Sequence, residues 1–267
     1  GYPDYLSGVS LGRVTYETFP LTAENDFLPD LDAIPEETAR RAKFIYINYP
    51  NNPTGAVATK AFYEKLVAWA KTYEVGVVSD LAYGALGYQG YENPSFLSTP
   101  GAKDVGIEFY TFSKTFNMAG WRLAFAAGNE QMIEALNLIQ DHLFVGIFPA
   151  LQEAGIAALL DPKSEEAVAQ LNATYDSRRD AFVQAAAKIG WQAFPSRGSF
   201  YAWMPVPEGY TSESFADLLL EKAHVAVAPG KGFGPAGDAY VRIGLLVEPE
   251  RLVEAVNRIA NLHLFDN

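Results

Sequence analysis

Short apolar runs alternate with amphipathic stretches through the first half of the chain. Residues 44–47 (Phe-Ile-Tyr-Ile) and 75–78 (Val-Gly-Val-Val) have the length and composition of buried strands, and each run ends in polar residues. Between them, residues 59–73 place Phe62, Leu66, Trp69 and Tyr73 at helical spacing, which predicts a strand–helix–strand unit. Further strands are predicted at 107–112 and 123–127. Asn129 is placed to cap a helix running through Ile133, Leu136 and Ile139. The alternation predicts an α/β fold, a mainly parallel sheet with covering helices.

The texture changes near Pro162. Residues 164–189 form a charge-rich stretch of helical periodicity without Gly or Pro. We therefore expect a large domain over 1–161 and a smaller C-terminal α/β domain over 162–267 that begins with a long connecting helix. Within the latter, 191–194, 199–204, 225–228 and 240–246 read as strands, interleaved with helices at 212–223 and 249–262.

Composition narrows the function. A hydrophobic content of 49% over 267 residues supports a sizeable core. The net charge of −12 and the lack of a basic run argue against nucleic-acid binding. The chain has no cysteine, so disulfides and thiolate metal sites are excluded and a cytoplasmic location is expected. No window reaches the roughly 18 apolar residues of a membrane span, and no signal-peptide pattern opens the chain. His142, His224 and His263 lack ligand spacing, so no metal site is expected. The glycosylation acceptor pattern at Asn172 is read as chance, and the Gly230–Gly234 run as a loop, since a third fingerprint glycine would fall at Pro235.

Candidate chemistry collects at strand ends. Asn52, Asp80 and the segment Thr111-Phe112-Ser113-Lys114 each follow an apolar run, and open parallel sheets bind ligands outside the carboxyl ends of their strands. A lysine preceded by hydroxyl residues can form a Schiff base with an aldehyde, while the hydroxyls and an arginine such as Arg122 hold a phosphate. That is the chemistry of a pyridoxal 5'-phosphate site. Taken singly, each feature has a plain structural explanation: Asn-Pro-Thr-Gly is good turn chemistry, Asp80 could cap a helix, and Lys114 could be a solvated loop residue. Arg242 lies in an otherwise apolar run, where a guanidinium needs an anion or must face outward. The aromatics of 200–203 read as strand core, one of them a candidate to line a cleft.

The motifs 52–55 (Asn-Pro-Thr-Gly), Asp80-x-x-Tyr83, Thr111-x-x-Lys114 and the downstream Arg122 keep a common order and spacing, and with them the chain resembles the class I/II aminotransferases. These have the aspartate aminotransferase-like fold, fold type I of pyridoxal phosphate enzymes. The resemblance covers the whole chain but begins about a third of the way into the family's usual sequence, so the chain, which opens without Met, is expected to lack the N-terminal third, and activity is assigned to the intact parent protein. It implies that Lys114 bonds the cofactor aldehyde and shuttles the proton. Asp80 would pair with the pyridinium nitrogen, and Asn52 and Tyr83 with the phenolic oxygen. Thr111, Ser113 and Arg122 would hold the phosphate, and Tyr2 would stack on the ring. Arg242, with Asn52, would take the substrate α-carboxylate. Amino acid and 2-oxo acid substrates and a homodimer follow from the same resemblance.

Finer detail at 48–57, 113–121 and 205–212 is most similar to bacterial aminotransferases of methionine salvage, which convert 4-methylthio-2-oxobutanoate to methionine. The alternatives are a pyridoxal phosphate-dependent C–S β-lyase and the effector-binding domain of an aminotransferase-like transcription regulator.

Overall fold

The computed structural model describes residues 2–265; Gly1, Asp266 and Asn267 lie outside the described residues. In chain order the helices are α1 (Asp4–Leu11), α2 (Glu36–Arg41), α3 (Lys60–Tyr73), α4 (Ala102–Val105), α5 (Phe112–Thr115), α6 (Glu130–Leu143), α7 (Pro149–Leu160), α8 (Ser164–Lys188), α9 (Ser212–Leu218) and α10 (Pro249–Ala260). The strands are β1 (Phe44–Asn48), β2 (Gly76–Asp80), β3 (Gly106–Thr111), β4 (Ala124–Gly128), β5 (Tyr201–Pro205), β6 (Ala228–Pro229) and β7 (Tyr240–Gly244). Contacts divide the chain into two compact units. One comprises Asp30–Pro50 and Val57–Asn172; the other holds the residues up to Pro29, Asn51–Ala56 and the residues from Ala173 on.

The first unit carries a four-stranded sheet in sequence order, β1-β2-β3-β4. Strands β1, β2 and β3 run parallel and β4 antiparallel. Parallel neighbours need a helical crossover, and α3 supplies the one between β1 and β2. The Thr59 hydroxyl starts α3 by accepting from the Phe62 amide at 3.1 Å, and Glu74 ends it in the left-handed conformation. The helix buries Phe62, Tyr63, Leu66, Val67 and Ala70. Each large apolar side chain removed from water in this way contributes about 1.5–3 kcal/mol. The connection from β3 to β4 carries only α5 and a single 3-10 turn, neither a helix long enough to cover the sheet, and the chain doubles back beside β3.

The second unit carries an antiparallel three-stranded sheet, β5-β7-β6. Its core joins Phe182 and Ala186 of α8 to Trp191, Phe215 of α9, Val241 of β7, and Leu252 and Val256 of α10. The sequence predicts a strand at 191–194, but no strand forms there. Trp191 instead buries its ring in this core, and its Nε1 donates to the Pro205 carbonyl at 2.7 Å. The strand expected at 225–228 shrinks to β6, and the last turn of the helix expected at 212–223 widens into a π-helix over Leu219–Ala223. The pattern at 149–160 was not recognised as a helix, because its apolar residues are spread around the axis instead of marking one face.

Many large apolar side chains of the first unit face outward. Phe44 and Tyr46 are half exposed on edge strand β1, as is Phe125 on β4. Leu138, Ile139, Leu143, Phe144, Val145, Phe148, Leu159 and Leu160 are exposed along α6, α7 and their connection. Among the described residues, no helix is long and apolar enough to cross a membrane.

Candidate active site

In the first unit, strand pairing assembles most of the predicted residues. Asp80 closes β2, with Asn48 opposite it on β1 and Phe109 on β3. The Asn48 amide donates to the Asp80 carbonyl at 3.0 Å and the Leu81 amide to the Phe109 carbonyl at 2.9 Å, so the backbone on both sides of Asp80 is fixed. Asn48 was not singled out from sequence. Its function as a backbone clamp exists only once β1 and β2 pair. Tyr83 follows in the turn after β2 and is 4% exposed.

Thr111, at the end of β3, caps α5. Its hydroxyl accepts from the Ser113 amide at 3.2 Å and donates to the Ser113 hydroxyl at 2.9 Å. Lys114 sits half-buried in the same short helix. The antiparallel return sets Ala124 opposite Thr111, and the Phe112 amide donates to the Leu123 carbonyl at 3.2 Å. Arg122, two residues before Ala124, is thereby returned to the strand end that carries Thr111, Ser113 and Lys114. Arg122 has left-handed backbone geometry (φ 54°), its Nη1 donates to the Ala119 carbonyl at 3.0 Å, and the residue is exposed. Phe112 and Leu123 anchor this corner in a small core with Met118.

The second unit holds the remaining candidates. The segment Asn51–Ala56 is a closed turn: the Asn51 amide donates to the Ala56 carbonyl at 2.8 Å, and the Asn51 side-chain oxygen accepts from the Thr54 amide and hydroxyl at 3.2 and 2.8 Å. Gly55 is required there. Its φ is +71°, and a Cβ would lie 2.1 Å from the Ser196 hydroxyl, which donates to the Gly55 carbonyl at 3.0 Å. The turn presents Asn52, 3% exposed, to Arg242 of β7. Arg242 Nη1 donates to Asn52 Oδ1 at 2.7 Å. The Arg242 guanidinium carbon also lies 4.1 Å from the centroid of the Tyr201 ring and 4.7 Å from that of Phe233.

Arg242 thus faces two aromatic rings and one amide oxygen, and no carboxylate pairs with it among the described residues. Tyr201 belongs to the aromatic group that sequence offered as cleft candidates; Phe233 was missed. It lies in the run read as a loop, which is a 3-10 helix held by the Lys231 amide donating to the Ser212 hydroxyl at 3.2 Å and by Lys231 Nζ paired with Glu213 at 2.6 Å. Tyr2, 40% exposed, packs edge-on to Tyr5 at the start of α1.

The donor set fits pyridoxal phosphate. An amine, two hydroxyls and a guanidinium share one strand end, and a carboxylate and a buried phenol follow the neighbouring strand. These are the partners an aldehyde, a phosphate, a pyridine nitrogen and a phenolic oxygen require. The profile of the family described as Aminotransferase class I and II matches residues 1–259.

The chain is 57% identical over 265 residues to the L-glutamine--4-(methylsulfanyl)-2-oxobutanoate aminotransferase of Bacillus subtilis strain 168, covering 99% of this chain and 66% of that protein. It is 49% identical over 259 residues to the LL-diaminopimelate aminotransferase of Moorella thermoacetica, covering 97% of this chain and 66% of the relative. The chain therefore spans 66% of the length of these curated relatives. The solved structure of apo-BacF from Bacillus subtilis superposes with a TM-score of 0.94 at 46% identity, covering 99% of this chain and 67% of that one. The fold is the aspartate aminotransferase-like, type I fold expected from the sequence. By profile, by identity and by fold, the chain belongs to the class I and II aminotransferases.

Proposed function

We propose that the protein is a pyridoxal phosphate-dependent aminotransferase that moves an amino group from an amino acid to a 2-oxo acid. The observation that carries this reading is the return of β4 along β3, which collects Thr111, Ser113, Lys114 and Arg122 at one strand end. When bound, the cofactor supplies an aldehyde that captures nitrogen and a ring that accepts the electron pair released at the α-carbon.

The residues supply the rest. Lys114 would hold the cofactor through its aldehyde, and its amine would be the group that carries the proton of the substrate α-carbon. Asp80, its backbone clamped on both sides, would set a carboxylate against the ring nitrogen and favour its protonated form. Tyr83 would donate to the phenolic oxygen, and the Thr111 and Ser113 hydroxyls and Arg122 would hold the phosphate. Arg242 orients the substrate α-carboxylate, with Asn52 fixing the plane of the guanidinium fork. The further roles of Asn52 at the phenolic oxygen and of Tyr2 on the ring rest on resemblance.

The favoured acceptor is 4-methylthio-2-oxobutanoate, as in methionine salvage, with LL-diaminopimelate as the competing substrate; the relatives' identities of 57% and 49% support that order. A homodimer and a cytoplasmic location belong to the same proposal, the dimer supported by the exposed apolar side chains of α6 and α7. The test is to incubate the cofactor-loaded protein with glutamine and 4-methylthio-2-oxobutanoate, and separately with LL-diaminopimelate as donor. Methionine formation supports the reading. Turnover of LL-diaminopimelate alone would overturn the substrate assignment, and no transamination of either pair would overturn the activity.

A further inference from the structure

The turn that carries Tyr83 has three consecutive carbonyls held by side-chain amides. Asn93 Nδ2 donates to the Gly84 carbonyl at 3.1 Å and to the Leu86 carbonyl at 3.0 Å. Asn172 Nδ2 donates to the Ala85 carbonyl between them at 2.8 Å. Residues 84–86 belong to neither a helix nor a strand, so no backbone ladder supplies donors to these oxygens, and a carbonyl turned inward without one is costly. Inside the turn, the Leu86 amide donates to the Tyr83 carbonyl at 2.8 Å. Asn172 is 87 positions away on α8, a helix that continues beyond this unit to Lys188.

Chemistry fixes which end of each asparagine faces the turn. A carbonyl accepts only from a donor, so each amide presents its NH2 group. The two Oδ1 atoms are buried and have no hydrogen-bond partner among the described residues. Both side chains thus spend their donors on the turn and leave their acceptors unused. An arrangement of that kind costs stability at the oxygen and returns it only through the position of the turn.

We infer that Asn93 and Asn172 are positioning residues. By gripping the carbonyls of residues 84–86 they hold the Tyr83 phenol at a fixed place after β2. The inference rests on the proposed role of Tyr83 toward the cofactor. It also gives the acceptor-like pattern at Asn172 a function unrelated to glycosylation: its nitrogen is already committed to Ala85.

The experiment compares Asn93→Ala, Asn172→Ala, Asn172→Asp and Tyr83→Phe with the parent in the full chain, with Gln170→Ala as an exposed control on the same helix. Two quantities are read: amide hydrogen exchange of the 81–88 segment, and pyridoxal phosphate affinity by absorbance titration. The asparagine variants should speed exchange of the Leu86 amide by about tenfold or more, with α3 unaffected. They should weaken cofactor binding by about threefold to tenfold, in the same sense as Tyr83→Phe.

Asn172→Asp adds a signature that packing alone would not give. Its ionised carboxylate repels the Ala85 carbonyl, whereas its protonated form can donate, so protection should return as pH falls below about 5. Unchanged exchange in 81–88, or exchange raised equally throughout the unit, would overturn the inference. So would asparagine variants that bind cofactor as the parent does while Tyr83→Phe does not. If Tyr83→Phe itself binds cofactor normally, the role given to Tyr83 fails and takes the functional half of the inference with it, while the exchange data still decide whether the asparagines hold the turn.

Discussion

Arg242 Nη1 donates to Asn52 Oδ1 at 2.7 Å across 190 positions of sequence. The pair is the most distant side-chain link in the candidate site, and it fixes one edge of a guanidinium whose carbon lies close to the rings of Tyr201 and Phe233. The neutral amide orients the arginine without neutralising it, and under the proposed function that charge would meet a substrate carboxylate.

Arg242→Lys keeps a charge but loses the planar fork, and is expected to raise KM for the amino donor by about tenfold to a hundredfold. Asn52→Asp should also raise KM, because a permanent carboxylate would compete with the substrate for Arg242. Steady-state kinetics with the donor varied read both effects, and an unchanged KM in Arg242→Lys would remove Arg242 from the substrate site.

Lys114 is predicted to be the attachment point. After incubation with pyridoxal phosphate and borohydride reduction, peptide mass spectrometry should find the fixed cofactor on Lys114, and Lys114→Ala should carry none. Attachment at Lys231 or another exposed lysine alone would contradict the assignment.

Asp80→Asn keeps the size and shape of the side chain and the backbone bonds on both sides of it, and should fold as the parent does, within about 1 kcal/mol. Its turnover should fall by about a hundredfold to ten-thousandfold, since a neutral amide cannot hold the ring nitrogen protonated. Urea unfolding and turnover measured on the same sample separate the two quantities. A fall in stability matching the fall in rate would make Asp80 structural.

Glu108 gives a pH-dependent prediction. This buried carboxylate on β3 accepts from the Ser79 hydroxyl at 3.0 Å, the Phe96 amide at 2.8 Å and the Ser95 hydroxyl. Burial raises its pKa, and the three hydrogen bonds pull it back only in part. The folded state therefore holds the proton more tightly than the unfolded chain. The stability this gives is present below the unfolded value of about 4.3 and is lost as pH rises through the folded pKa. Relative to Glu108→Gln, which cannot titrate, the parent should lose Tm as pH rises from 4 to 7. A parallel pair of Tm profiles would show that Glu108 contributes no pH dependence. Glu108→Ala, which strands three donors, should cost about 2–3 kcal/mol at pH 4 and less as pH rises and the parent loses the stability linked to protonation.

What the sequence determined by itself was local in origin. Helix α3 was legible because its apolar residues recur at helical spacing. The run ending at Thr111 was legible as a strand because its apolar residues are contiguous. Motif order and spacing, taken together with the family resemblance, were enough to mark Asp80, Lys114, Arg122 and Arg242 as candidates, although each has a plain structural explanation when taken singly.

What only the tertiary structure decided depends on pairing between distant segments. The antiparallel direction of β4, which returns Arg122 to the strand end of Thr111, depends on the path of a connection that local propensity does not encode. The same is true of the amides of Asn48, Asn93 and Asn172, whose common asparagine chemistry acquires meaning only from the carbonyl each one meets. Trp191 shows the converse: its apolar run reads as a strand, yet its burial comes from helices and strands elsewhere in the chain. Hydrophobic periodicity reports which face of an element is buried, whereas backbone carbonyls find their partners only once the elements have packed.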